Sequence, residues 1–104
     1  MTSPATFQMN KALLLLDRGA IPCAQAALRR AIDMARADGP AAVLVQAQVI
    51  LGECLIDAGQ REEARGLLES ALAVELGDRA ELLAYELERA RSLLRGLVTA
   101  MPRS

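Results

Sequence analysis

Val45–Leu76 reads VQAQVILGECLIDAGQREEARGLLESALAVEL, and the spacing of its apolar and small residues decides the fold. Leu51, Gly52 and Leu55 fall on one side of a helix that runs up to Gly59. Ala64, Leu68 and Ala71 recur at i, i+4 and i+7 on the helix that follows, while Arg61, Glu62, Glu63, Arg65 and Glu69 occupy its other side. Gly59 offers the left-handed residue that ends the first helix, and Glu62 and Glu63 suit the dipole of the next helix's first turn. The stretch is therefore two amphipathic helices joined by a tight turn, with small residues where the two must approach closely.

Toward the N-terminus the same plan is repeated. Ser3-Pro4 is a helix start, the Ser oxygen capping free N–H groups and Pro taking the first helical position. Helix 1 is expected to run to about Arg18 and to end at Gly19. It carries Phe7, Met9 and the run Leu13–Leu16, an apolar surface too wide for coverage from one side. Ile21-Pro22 leads into helix 2, where Ala24, Leu28, Ala31, Ile32 and Ala35 face one way and Arg29, Arg30, Asp33 and Arg36 the other. Asp38-Gly39-Pro40 separates it from helix 3.

Toward the C-terminus, helix 4 is expected to stop at Gly77. Asp78-Arg79-Ala80-Glu81, a D-x-x-E form of the capping box, then starts helix 5, which reaches about Gly96, with Met101–Ser104 expected to fray.

Laid over one another, the two hairpins match at a constant offset of 40 residues. Ala12 meets Gly52, Leu15 meets Leu55, Gly19 meets Gly59, and Ala24, Leu28 and Ala31 meet Ala64, Leu68 and Ala71. With Gly39 laid on Gly77, helix 5 follows helix 3: Val49 meets Leu87, Gly52 meets Ala90, and Leu55 and Ile56 meet Leu93 and Leu94. Arg89 then stands where the second hairpin has Leu51, as suits a final helix with no partner after it.

The pattern L-G-x-x-L, then Gly, then A-x-x-x-L-x-x-A resembles the tetratricopeptide repeat (TPR), whose basic period is about 34 residues. The longer period resembles the form found in helical arrays of large bacterial signal-transducing regulators. Two departures stand out: Gln8 and Gln48 replace the family's bulky aromatic, and Arg36 and Leu76 replace its closing proline. The resemblance implies an all-α, right-handed TPR-like array of antiparallel hairpins forming one domain. Its parts are a repeat at about 4–37, a second at about 40–76 and a capping helix at about 79–98; a different five-helix bundle is the alternative.

The resemblance also implies a concave face built by helices 1, 3 and 5. Carried over position by position, it comprises Thr6, Met9, Leu13 and Leu16, then Gln46, Val49, Glu53 and Ile56, then Ala84, Leu87, Arg91 and Leu94. Some TPR proteins hold a peptide's terminal carboxylate there with Lys, Asn and Arg. The corresponding residues here are Met9, Leu13, Ile50, Ala84 and Glu88, so that clamp is missing. What remains is an apolar stripe of Met9, Leu13, Leu16, Val49, Ile56, Leu87 and Leu94. It is either an open patch that recognises a helix or peptide, or ordinary core beneath an inward-folded helix 5.

Composition narrows the function classes. Hydrophobic residues make up 53% of the 104 positions and aromatic ones 2%, which fits helices packed with small and aliphatic side chains. The net charge of −1 lacks the basic excess of a nucleic-acid footprint, and Glu81, Glu86 and Glu88 dilute Arg89, Arg91 and Arg95 on helix 5. The leucine run is too short to span a bilayer. Two cysteines without a secretory signal point to a reducing cytoplasm.

There is no histidine, no Cys-x-x-Cys, no Gly-rich phosphate loop and no Gly-x-Ser-x-Gly. Cys23 is expected at a helix–helix contact rather than as a reactive thiol, and Cys54 inside helix 3. The acidic residues of helix 4 are expected to pair along the surface with Arg61 and Arg65. Expected, then, is a cytoplasmic, non-enzymatic module without cofactor or metal. It binds a protein or peptide through the apolar concave face, or pairs with a second copy as the assembly domain of a regulator.

Overall fold

The computed structural model describes residues 2–99, so the expected fraying of Met101–Ser104 lies outside the described residues. The fold is all-α: α1 (Pro4–Asp17), α2 (Ile21–Asp38), α3 (Ala41–Asp57), α4 (Arg61–Ala73), a 3-10 turn at Gly77–Ala80, and α5 (Ala84–Thr99). The molecule measures 50 × 33 × 21 Å along its principal axes; its thinnest dimension corresponds to two helix diameters. Each helix packs on the next, and α3 also touches α1 and α5.

The start of α1 is capped as its sequence dictates. Ser3 Oγ accepts from the Thr6 N–H at 3.1 Å, and Pro4 takes the first helical position. The α1–α2 and α3–α4 turns are built alike. Gly19 and Gly59 have φ of +75° and +81°. The next residue's N–H reaches back to close the helix end, Ala20 to the Leu15 carbonyl at 2.9 Å and Gln60 to the Leu55 carbonyl at 2.8 Å. Glycine is needed at both places because left-handed backbone crowds a Cβ.

Two apolar clusters form the interior. The first joins Met9 and Ala12 of α1, Leu28 and Ala31 of α2, and Ala47, Leu51 and Leu55 of α3. The second joins Val45 and Val49 of α3, Leu68 and Ala71 of α4, and Leu83, Ala90 and Leu97 on the α5 side. Gly52 allows the closest approach: a Cβ there would lie 3.0 Å from Leu68 Cγ and Cδ2.

The last third differs from expectation. α4 ends at Ala73 rather than Gly77, because Val74 turns extended (φ −68°, ψ 130°). In a continued helix residues 74 and 76 would point roughly 200° apart; leaving the helix lets Val74 and Leu76 both pack on the second cluster. Asp78–Glu81 does not open a long helix either. Gly77–Ala80 is a 3-10 turn, residues 81–83 turn again, and α5 begins at Ala84. This approach to α5 buries Leu83 and leaves Leu82 83% exposed.

Candidate binding groove

Three stripes of helical spacing meet in an open groove of about 530 Å³ between α1, α3 and α5. α1 supplies Thr6, Met9, Asn10 and Leu13, the i, i+3, i+4 and i+7 positions of one face. α3 supplies Val43, Gln46, Val49, Ile50 and Glu53, and α5 supplies Tyr85, Glu86 and Arg89. Met9, Val43 and Val49 are buried and make the floor. Leu13 (43% exposed) and Tyr85 (77% exposed) stand on the rim.

The groove has a built-in brace. Arg89 Nη2 donates to Glu53 Oε2 at 2.5 Å, tying α5 to α3. That hydrogen bond, with the charge of Glu53, raises the guanidinium's pKa above its already high ordinary value. Both side chains are 40% exposed, so the pair orients the wall more than it stabilises the fold.

Of the residues expected on the concave face, Thr6, Met9, Leu13, Gln46, Val49 and Glu53 line this groove. The others go elsewhere. Leu16 is half-buried, and Ile56 packs beside both clusters and lines a smaller hollow with Arg61, Ser92, Leu93, Gly96 and Leu97. Ala84, Leu87 and Arg91 line a shallow depression on the far flank of α5, with Ala80, Glu81 and Glu88. Leu94 packs against the second cluster.

The carried-over register of α5 therefore turns that helix to the wrong side. Leu83, Leu87, Ala90, Leu94 and Leu97 follow a 4-3-4-3 spacing, and this stripe is the one packed inward. Tyr85, Glu86 and Arg89 lie on the flank of that stripe, and the spacing alone carries enough signal to place them there. Arg89 is correspondingly not a residue left facing an absent next helix: it reaches Glu53.

One of the two cysteines also parts from expectation. Cys23 is exposed, because its neighbour Ala24, about 100° further round α2, takes the helix contact. Cys54 is half-buried, and burial, then Asp57 and Glu53, raise its pKa and so disfavour the thiolate. Glu63 does not pair along its own helix. It accepts from Arg29 Nη1 at 2.5 Å across to α2, which lowers its pKa, while Glu62 pairs with Arg65 at 3.7 Å.

Among the described residues no group of three or more His, Cys, Asp or Glu side chains is placed to hold a metal ion. Among the same residues no helix is long and apolar enough to cross a membrane. Comparison with protein-family models, curated proteins and solved structures gives no match to this chain.

Proposed function

We propose that the chain is a non-enzymatic, TPR-like interaction module of the cytoplasm that binds a peptide or helix of a partner protein in the α1/α3/α5 groove. The observation that carries this reading is the groove itself: an apolar floor of Met9, Val43 and Val49, polar walls, and a rim where Leu13 and Tyr85 remain exposed. Large exposed apolar side chains around a concavity are the usual mark of a recognition surface. The like-built turns at Gly19 and Gly59, and the fully buried Ala24–Leu28–Ala31 and Ala64–Leu68–Ala71 ladders, support the repeat reading.

The test is selection of a random 12-residue peptide library on the immobilised protein. Enriched peptides should bind the wild type and lose at least tenfold in affinity to Leu13→Glu, whose circular dichroism stays native because Leu13 is at the rim. Peptides indifferent to Leu13→Glu would remove the groove from consideration.

A second reading is a homodimeric assembly domain. Leu82 and Tyr85, two large apolar side chains exposed three residues apart in sequence, favour it. Light scattering over a hundredfold range of concentration decides: a dimer that Tyr85→Glu dissociates supports it, and a monomer throughout excludes it.

A further inference from the structure

The groove is not electrically neutral, and its imbalance specifies the occupant. Arg89 is the one cation among the described residues that line it, and it is engaged by Glu53. Thr6, Asn10 and Gln46 are uncharged. Glu86, one turn from Arg89 on α5 and only partly exposed, makes no ion pair among the described residues. The groove thus holds two carboxylates and one guanidinium, a surplus of one negative charge beside an apolar floor.

Resting on the proposed groove reading, we infer that the occupant is a basic amphipathic helix from another protein. Its apolar face seats on Met9, Leu13 and Val49, and a Lys or Arg at its edge meets Glu86. The groove's length fits: from Val43 to Glu53 α3 advances about 15 Å, nearly three turns of a guest helix. Complementary charge at a partly desolvated wall sets orientation and rejects like-charged competitors. A second copy of this chain is disfavoured on the same ground, since it would bring the same surplus of negative charge to the contact.

The test uses two synthetic amidated 14-residue helices with identical leucine spacing, one otherwise lysine and one otherwise glutamate, titrated into the 15N-labelled full chain. The lysine helix should bind at least tenfold tighter at low salt, with shifts centred on the groove faces of α1, α3 and α5, and the preference should shrink as salt rises. Glu86→Lys should cut the preference at least fivefold, and Glu86→Gln partway. Glu69→Lys, the same charge change on the exposed side of α4, should leave it unchanged.

If both helices bind the groove equally, or Glu69→Lys matters as much as Glu86→Lys, the charge inference is wrong and the groove reading stands. If neither helix shifts groove resonances, or the face is occupied by self-association, both are wrong.

Discussion

Gln8 and Gln48 occupy matched places on α1 and α3, 40 residues apart, and meet opposite fates. Gln8 is partly exposed and accepts from Arg30 Nε at 3.2 Å. Gln48 is 1% exposed, and its Oε1 has no hydrogen-bond partner among the described residues. The same divergence runs along both helices. Phe7 and Leu14 are 59% and 60% exposed on α1, whereas their matches on α3, Ala47 and Cys54, are buried and half-buried against the first hairpin. Two hairpins with one turn design thus carry different loads: the first presents a free flank, and the second is packed on both sides.

The sharpest way to break the likeness is to hollow each hairpin at its matched leucine. Leu28→Ala and Leu68→Ala, both at fully buried positions, should cost about 3 and about 4 kcal/mol in urea denaturation. Leu68→Ala is expected to cost more because its neighbour Gly52 has no Cβ to lean into the void.

Next comes the close approach itself. Gly52→Ala gains helix propensity but drives a Cβ against Leu68, so a net loss of about 1.5 kcal/mol is expected. In the Leu68→Ala background the same change should stabilise, and a double-mutant cycle reads that reversal. Additive effects would mean that the two helices are not held apart by this contact.

The glutamines give the third test. Gln48→Leu removes a desolvated carbonyl and should raise stability by about 1 kcal/mol, while Gln8→Leu should change it by less than about 0.5 kcal/mol. Equal responses would show that the burial difference has no energetic consequence.

The smallest effect concerns the link between the hairpins. Glu63 has a lowered pKa in the folded protein because Arg29 donates to it. Its stabilisation is therefore complete above the ordinary carboxylate value and is lost as pH falls through the lowered one. With side chains 47% and 44% exposed, Glu63→Gln should cost only about 0.3 kcal/mol at pH 7. The variant's urea midpoint should converge on wild type in acid; a gap that persists there would assign the cost to packing instead.

Much of this was legible from residues alone, for a physical reason. Ala24, Leu28 and Ala31, with Ala64, Leu68 and Ala71, name their own buried face, because a small-large-small ladder fits only one side of a helix pair. Gly19 and Gly59 mark their turns because left-handed backbone selects glycine. Met9, Leu13, Gln46, Val49 and Glu53 reach one groove because each follows from the register of its own hairpin.

The last third resisted for the opposite reason. Nothing local in Val74-Glu75-Leu76 forbids a helix; the interruption comes from the apolar surface that Val74 and Leu76 cover. α5 has no hairpin partner to fix its register, so borrowing one from α3 rotated it away from Tyr85, Glu86 and Arg89. Its own 4-3 stripe was the better guide.

α3 lends Ala47, Leu51 and Leu55 to one cluster and Val45 and Val49 to the other. Neither half can therefore open without stripping a face from the helix that the other half depends on. In amide hydrogen exchange the interior of α3 is expected to report whole-molecule unfolding, whereas α1 and the 3-10 turn before α5, each covered from fewer sides, should exchange through smaller openings. The α3 part of the groove floor, Val43 and Val49, is therefore expected to stay fixed while Met9 and the rest of the α1 side move with the smaller openings.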